Sequence, residues 1–291
     1  MNGLTSKTQR SHRRISRRPS LVGSAAALAA AALFASVVTG CGSESKTAET
    51  TTTGASGTAA TTTATGEQQT PDAAALVQES SRTTETLQSV HLVLTATNMS
   101  QLPVSSVNAD VTNQPQGTGR AVGDAKFRAQ PSDPFVETQF LVTDKTFYTK
   151  DADGTWVARG PADKIYDPGI ILDKDMGLAK VIKSVQNPKV DGRETIDGVK
   201  TVKVSGTIDA AIIDPVVPTL GQGGGTLPIT LYIYDVAPPA TGTTTTAIAS
   251  DAPSPGTGPN LVRFVVNKDQ GNVQVTFTNF AKPVDIPSPT G

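Results

Sequence analysis

Cys41 is the residue of this chain whose type and position point most clearly to chemistry. It is the single cysteine among 291 residues, and it directly follows Val38, Thr39 and Gly40. Cysteine sulfur is nucleophilic as the thiolate, and Val-Thr-Gly before a cysteine is typical of the site where bacteria attach diacylglycerol to the sulfur and then cleave the chain. The sequence therefore predicts that Cys41 is the lipidated first residue of the mature protein.

The segment before Cys41 has the composition of an export signal. It holds six basic residues, no acidic residue, and an uncharged Ala-rich run over residues 21–39. A basic start followed by an apolar run is typical of a secretion signal. An uncleaved membrane-spanning helix is the alternative, since the run nearly reaches the length that a bilayer needs, although Gly, Ser and Ala make it weakly hydrophobic. We predict a signal peptide over residues 1–40.

Two consequences of this leader bear on location. Arg17 and Arg18 weakly resemble a twin-arginine export signal, and a plain basic leader explains them equally well, so both export routes stay open. Two or three acyl chains on one cysteine hold a protein firmly on a membrane, whereas one chain does so only marginally. The expected location is the outer face of the cell membrane.

The remaining candidates for catalysis or metal binding are sparse. His91 is the only histidine after the leader, and no Gly-x-Ser-x-Gly motif accompanies it, so a serine hydrolase is disfavoured. The acidic pairs at 151–153 and 173–175 lack the rest of a calcium loop, and the glycines at 221–225 lack the lysine of a phosphate loop. We predict no enzyme activity, no catalytic residue, no metal site and no cofactor.

Composition excludes further classes of function. Without the leader, 19 basic residues face 26 acidic ones, so the exported chain is acidic. A nucleic-acid-binding surface needs a basic stripe to neutralise phosphates, and we expect no nucleic-acid partner. With one cysteine there is no internal disulfide.

The chain after Cys41 divides into a tether and a folded domain. Residues 41–70 are rich in Thr, Ser, Ala and Gly without apolar periodicity, which predicts a flexible tether. Its threonines are possible acceptors of O-linked sugars, with a bare linker as the preferred interpretation. Residues 71–291 form the predicted domain, in which the Thr/Pro/Gly-rich segment 237–259 is expected to be a loop.

Within the domain, alternating apolar residues predict a mainly antiparallel sheet. Asp-Gly at 153–154 and 197–198, and Asp-Gln-Gly-Asn at 269–272, are typical of hairpin turns. Helices are expected after Pro71 and Asp72, over 168–185, and over 209–220 with a break at Pro215. The predicted strands cover residues 90–97, 121–128, 136–142, 145–149, 155–158, 199–208, 227–236, 261–267 and 272–280.

One predicted strand has an unusually small inward face. Ala121, Gly123 and Ala125 precede Phe127 on this face, whereas Asp124, Lys126 and Arg128 are expected to face water. If helices cover such a face, the small side chains leave room for an apolar cavity. Close packing of helix on sheet is the alternative, and the residues alone do not separate the two.

Several long stretches resemble the mycobacterial LppX/LprA/LprF/LprG lipoprotein family. They are SVHLV at 89–93, ADVTNQP at 109–115, YDPGIILDKD at 166–175, IDG at 196–198, VKVSGTI at 202–208 and KDQGNV at 268–273, together with the leader that ends at Cys41. The resemblance extends over nearly all of residues 72–286. It implies an α+β fold in which an antiparallel half-barrel sheet has helices on its concave face and encloses an apolar cavity for lipid.

The family brings no short ligand motif, so the candidate cavity residues come from the alternation of the strands and the apolar spacing of the helices. These candidates are Leu92, Leu94, Ala96, Ala121, Gly123, Ala125, Phe127, Ile171, Leu178, Ile182, Val202, Val204, Leu231, Ile233, Phe264, Val275 and Phe277.

The resemblance implies a membrane-anchored lipoprotein that binds acylated lipid or glycolipid and carries it through the cell envelope. The alternative is a periplasmic sensor or adaptor that docks on a membrane protein such as a sensor kinase or exporter. Vesicle-to-vesicle exchange of lipid would favour the carrier, and a persistent stoichiometric protein partner would favour the adaptor.

Overall fold

A computed structural model describes residues 70–115, 119–236 and 257–289. Cys41, the predicted signal peptide and tether, and most of the predicted loop 237–259 lie outside the described residues. Most of the regular structure in the described ranges is β-strand. The strands are β1 (Ser89–Thr97), β2 (Val104–Thr112), β3 (Arg120–Phe127), β4 (Val136–Thr143), β5 (Thr146–Lys150), β6 (Trp156–Pro161), β7 (Gln186–Ile196), β8 (Val199–Asp209), β9 (Thr226–Tyr234), β10 (Leu261–Lys268) and β11 (Gly271–Thr278). The helices are α1 (Ala73–Glu85), α2 (Ala162–Ile165), α3 (Leu178–Lys183) and α4 (Ala210–Ile213), with a 3₁₀ turn at Pro168–Leu172.

The strands form one open sheet in the order β6-β5-β4-β3-β2-β1-β11-β10-β9-β8-β7. All ten neighbouring pairs are antiparallel. The sheet therefore consists of two meanders, β1 to β6 and β7 to β11, which we call the first and second meander. They join where β1 pairs with β11, with Leu92 opposite Phe277.

The predicted hairpin turns are confirmed, and backbone geometry explains them. Asp197 and Gly198 connect β7 to β8 with φ of 48° and 84°, the left-handed values that a two-residue turn requires and that Gly adopts without strain. Gly154 has φ of 88° in the β5–β6 turn. Lys268 pairs with Gly271, so Asp269 and Gln270 form the β10–β11 turn. The strands on either side of each of these three turns are antiparallel neighbours.

The second meander is packed as a dense core. Val204, Leu231 and Phe264 lie side by side in the register of β8, β9 and β10, and each is 0% exposed. Their neighbours Val202, Ile233 and Val266 are buried in the same way.

Helix α1 begins where the sequence predicts. The Asp72 carboxylate accepts a hydrogen bond from the Ala75 amide at 2.9 Å, which satisfies one of the free amides of a helix N-terminus. Its buried side includes Val77 and small polar residues, and Ser81 donates to the Ala179 carbonyl of α3 at 2.8 Å. Among the described residues, no helix combines the length and hydropathy needed to cross a membrane.

Two strands of the sheet are absent from the sequence prediction. Strand β2 mixes serines, Asn108 and Asp110 with its apolar residues, which obscures its alternation. Strand β7 is an edge strand with one buried residue, Ile196, so neither of its faces is apolar. A strand that is exposed on both sides carries no period-two hydrophobic signal.

The two later helix predictions were wrong in extent. The helix expected over 168–185 is a 3₁₀ turn, an Asp-centred turn and then the short α3, because the Asp173 carboxylate accepts from the amides of Asp175 and Met176. At Gly177 a Cβ would lie 2.3 Å from the Ile170 carbonyl oxygen, so the chain folds back closely there. The helix expected over 209–220 ends at Ile213, just before Pro215, which cannot donate a helical hydrogen bond.

Candidate functional site

An open pocket of about 640 Å³ lies on the inner face of the first meander and is covered in part by the segments that follow β6. Its floor is formed by strands β1 to β5 with β11, and its cover by residues from α2 to α3 and from the turns after α4. The floor comprises Leu92, Leu94, Val104, Val107, Ala109, Val111, Ala121, Ala125, Phe127, Val136, Thr138, Phe140, Val142, Phe147, Thr149, Val275 and Phe277. The cover comprises Ile165, Tyr166, Pro168, Ile171, Leu178, Val216, Val217 and Pro218, and Pro103, Arg128, Asp151 and Arg159 complete the lining.

The floor is deep where β2 and β3 meet, because the side chains there are small. In cross-strand register, Leu92 stands next to Ala109, which is followed by Gly123 and Phe140. A Cβ on Gly123 would lie 2.1 Å from the Asn108 carbonyl oxygen, so only glycine permits the two strands to approach this closely. Large residues on both sides of an Ala-Gly pair create a trough across the sheet.

Tyr166 links the two covering segments. Its hydroxyl donates to the Val216 carbonyl at 3.0 Å, which joins the chain after α2 to the turns after α4. Burial raises the pKa of the Tyr166 hydroxyl well above its usual range, and the nearby Asp167 charge adds to this effect. The hydroxyl therefore stays protonated and remains a donor at physiological pH.

Polar side chains of the lining are concentrated beside the edge of the sheet. Arg159 of β6 donates from Nε to the Thr149 hydroxyl at 2.6 Å and from Nη2 to the Asp151 carboxylate at 2.6 Å. Thr138 lies on the adjacent strand β4. By contrast, every lining residue on β1, β2 and β11 is apolar.

Arg128, expected to face water, is half-buried at the end of β3. Its guanidinium donates to the carbonyls of Ser100, Leu102 and Pro131, and it lies 4.5 Å from the centre of the Phe135 ring. These contacts hold the loops after β1 and β3 together, so Arg128 acts structurally at this end of the pocket.

The structure brings together about half of the candidate cavity residues. Nine of them line the pocket: Leu92, Leu94, Ala121, Ala125, Phe127, Ile171, Leu178, Val275 and Phe277. Ala96 and Gly123 belong to the same strands but do not line it. The other six are closely packed and lie away from the pocket: Ile182, Val202, Val204, Leu231, Ile233 and Phe264. Cys41 lies outside the described residues.

The sequence interpretation missed apolar lining residues on β2 and β4, and it missed the charged lining residues. The β2 residues were missed with their strand. Val136, Phe140 and Val142 alternate within the predicted strand 136–142 and would have been found by extending the inward set to it. Asp151 and Arg159 carry no such signal, because a search for apolar alternation passes over charged residues.

The other candidates for chemistry lie elsewhere. His91 donates from Nδ1 to the Asp110 carboxylate at 2.9 Å and does not line the pocket. The Asp153 carboxylate accepts from the Thr155 amide at 2.9 Å, and this backbone hydrogen bond lowers the pKa of the Asp153 carboxyl. Within the described ranges, no three His, Cys, Asp or Glu side chains group as metal ligands would.

Comparison with known proteins identifies the family. The sequence model of the LppX_LprAFG lipoprotein family matches residues 72–286, which include every described strand and helix. The chain belongs to this lipoprotein family. The resemblance of the sequence to this family is thereby confirmed.

Relatives within the LppX_LprAFG family agree in sequence and structure. The chain is 53% identical over 291 residues to a protein of Mycobacterium tuberculosis named a putative diacylated glycolipid transporter, LprF, and the match covers 100% of both chains. It is 31% identical to the lipoarabinomannan carrier protein LprG of the same species, over 86% of this chain and 93% of LprG. The crystal structure of LprF from Mycobacterium bovis matches with a TM-score of 0.68 at 56% identity, over 76% of this chain and 99% of that one. The large open antiparallel sheet is therefore the family fold, and a family of lipoproteins named as transporters and carriers agrees with the expectation that the chain is not an enzyme.

Proposed function

We propose that this lipoprotein binds acylated lipid or glycolipid in the pocket on the first meander and carries it through the cell envelope. The observation that carries the proposal is an open pocket of about 640 Å³ whose floor and cover are almost wholly hydrocarbon. This volume lies within the range of about 300–1,000 Å³ that is usual for small-molecule sites. The names of LprF and LprG, a glycolipid transporter and a lipoarabinomannan carrier, support the same class of ligand.

The energetics of transfer favour an acyl chain as the occupant. Each methylene that leaves water contributes about 0.8 kcal/mol, so a sixteen-carbon chain contributes up to on the order of 10 kcal/mol. A hydrocarbon lining provides this without any charged group, and it explains why Ala109, Ala121 and Ala125 occupy the centre of the floor. The helices and turns over the concave side would enclose the chain once it is bound.

We further propose that Cys41 anchors the protein on the outer face of the cell membrane. The signal over residues 1–40 and the tether over 41–70 support this arrangement, since the first explains export and the second separates the domain from the headgroups. The family name, lipoprotein, agrees with acylation. A carrier tethered in this way exchanges lipid with its own membrane and with acceptors within reach of the tether.

The test is native mass spectrometry of the full chain, purified in detergent from an actinobacterial host. A spectrum under denaturing conditions separates covalent acyl groups on Cys41 from lipid that is bound without a covalent bond. We expect both: a mass increase at Cys41 that survives denaturation, and a discrete lipid that is lost with it and is identified after organic extraction.

Exchange of labelled lipid between vesicles completes the test. Acceleration by the protein supports carriage. A chain that is purified without lipid and takes up none from vesicles would exclude the carrier, and a stoichiometric membrane protein that copurifies with such a chain would favour the adaptor.

A further inference from the structure

The polar lining of the pocket forms one small group. Six lining residues have polar or charged side chains, of which Arg128 is bound to backbone carbonyls and Tyr166 to the Val216 carbonyl. The other four are Thr138, Thr149, Asp151 and Arg159. They lie on or directly beside β4, β5 and β6, the last three strands at one edge of the sheet. A lipid in this pocket therefore meets hydrocarbon at the β1–β2–β11 end and this polar group at the other.

Arg159 and Asp151 are held in place but retain free bonding capacity. Thr149 accepts from Nε of Arg159, and Asp151 accepts from its Nη2, so the guanidinium is fixed at two points. In the described part of the chain, the remaining Nη nitrogen and the second carboxylate oxygen make no hydrogen bond. The side chains of Arg159 and Asp151 are 45% and 47% exposed, so a ligand can reach them from the open side.

We propose that Arg159 and Asp151 form a subsite for the vicinal hydroxyls of a sugar headgroup, with the acyl chains lying toward β1 and β11. This rests on the proposed lipid-binding function and specifies the headgroup that the pocket takes. Each sugar hydroxyl is both a donor and an acceptor. The free guanidinium N–H groups donate to one hydroxyl while the carboxylate oxygen accepts from its neighbour, which a paired Arg and Asp can do together.

The charge of the subsite favours a neutral sugar over a phosphate. Asp151 neutralises Arg159, because its carboxylate lies 2.6 Å from Nη2 of the guanidinium. The nearest lysine in sequence, Lys150, has its ammonium 5.4 Å from the centre of the Trp156 ring, and neither residue lines the pocket. An anionic phosphate would therefore face the Asp151 carboxylate and a guanidinium that this carboxylate already neutralises in part.

The experiment compares three lipids that share the same two acyl chains: monoglucosyl diacylglycerol, diacylglycerol and phosphatidic acid. The full chain in detergent is titrated with each lipid, and dissociation constants are measured by native mass spectrometry. We expect the glucosyl lipid to bind about tenfold more tightly than diacylglycerol, because two charge-assisted hydrogen bonds are added. Phosphatidic acid should bind no more tightly than diacylglycerol.

Variants test whether Arg159 and Asp151 cause the preference for the glucosyl lipid. Asp151→Asn and Arg159→Met should each reduce the glucosyl preference, measured as the ratio of the dissociation constants for diacylglycerol and the glucosyl lipid, to about twofold or less, as expected when a charge-assisted hydrogen bond is lost. Lys126→Met is the matched control, because Lys126 pairs with Glu137 on neighbouring strands but does not line the pocket. Thermal unfolding identifies any variant that fails to fold, and the nearly isosteric Asp151→Asn then gives the answer alone.

The outcomes separate this inference from the function on which it rests. If all three lipids bind equally, or phosphatidic acid binds most tightly, the sugar subsite is wrong while lipid binding stands. If none of the lipids binds, the proposed function fails and the subsite fails with it. A preference that survives both Asp151→Asn and Arg159→Met also overturns the subsite.

Discussion

The two meanders are both antiparallel, but the first carries the pocket and the second is filled by its own side chains. In the second meander the inward side chains Val204, Leu231 and Phe264 are large and completely buried. In the first, the pocket opens over the small side chains of Ala109, Ala121 and Ala125 on β2 and β3. The difference shows that alternation decides which face is apolar, whereas residue size decides whether the face is filled or left available to a ligand.

The largest expected effect is the loss of a large side chain from the second meander. Leu231→Ala should lower the free energy of unfolding by about 2–5 kcal/mol, because a closed cavity remains in a packed core. Leu94→Ala in the first meander should cost less, about 1–2 kcal/mol, because Leu94 already borders open space. Chemical denaturation of both variants measures the difference, and equal costs would contradict the distinction between a filled and an open face.

The next effect concerns binding. Ala125→Phe places a ring above the trough, where it should remove most lipid binding while changing the free energy of unfolding by less than about 1.5 kcal/mol. Native mass spectrometry and thermal unfolding measure the two quantities. Ala158→Phe is the control, since Ala158 is exposed on β6 and does not line the pocket. Unchanged lipid binding in Ala125→Phe would mean that the lipid lies elsewhere.

Alternation in the sequence predicted nine of the eleven described strands, and the turn residues predicted the antiparallel pairing of β5 with β6 and of β10 with β11. The pairing of β1 with β11, which joins the two meanders, was not predicted. Alternation could not separate Leu94 from Leu231, because both are apolar and face inward, and they differ in the size of the surrounding side chains and in the chain that covers them. That cover comes from the segments after β6 and β8, whose helices are shorter than their apolar spacing indicates. The spacing of apolar residues does not reveal the turns made by Asp173, Gly177 or Pro215. Tertiary contacts decide where those segments lie.

The candidate site was predicted in its hydrocarbon part and missed in its polar part. Ala121 and Ala125 were found because small residues on a strand face imply space. Arg159 and Asp151 meet only when β5 and β6 pair, and eight positions along the chain separate them. Charged residues of this kind are common on exposed turns, so the sequence contains no signal that distinguishes this pair.

A smaller effect is expected from the hydrogen bond that ties the cover together. Tyr166→Phe leaves the Val216 carbonyl without its partner and should lower the free energy of unfolding by about 1–3 kcal/mol.

The natural protein should also lose stability as pH rises above 10, because the unfolded chain releases the tyrosine proton there while the raised pKa of Tyr166 keeps it bound in the folded state. Above pH 10 the free energy of unfolding should fall by up to about 1.4 kcal/mol per pH unit because of this group.

Denaturation between pH 8 and 11 measures this slope. Tyr166→Phe should flatten it by the share of one group, and Tyr148→Phe, on a residue that does not line the pocket, serves as the control. An equal slope in the Tyr166→Phe variant and the natural protein would show that Tyr166 is accessible to water when folded.

The smallest effects come from two ion pairs, one in each meander, that differ in their exposure to water. Lys126 and Glu137 of the first meander are 3.5 Å apart with side chains 52% and 65% exposed, whereas Arg193 and Asp235 of the second are 2.9 Å apart and 33% and 11% exposed. Water and salt screen the first pair more strongly, so a double-mutant cycle should give a coupling of a few tenths of a kcal/mol there and about 1 kcal/mol for Arg193 with Asp235. Raising the salt concentration to about 1 M, where the Debye length is about 3 Å, should abolish the first coupling and leave part of the second. Equal couplings at low salt would show that the lower exposure of Arg193 and Asp235 does not strengthen their interaction.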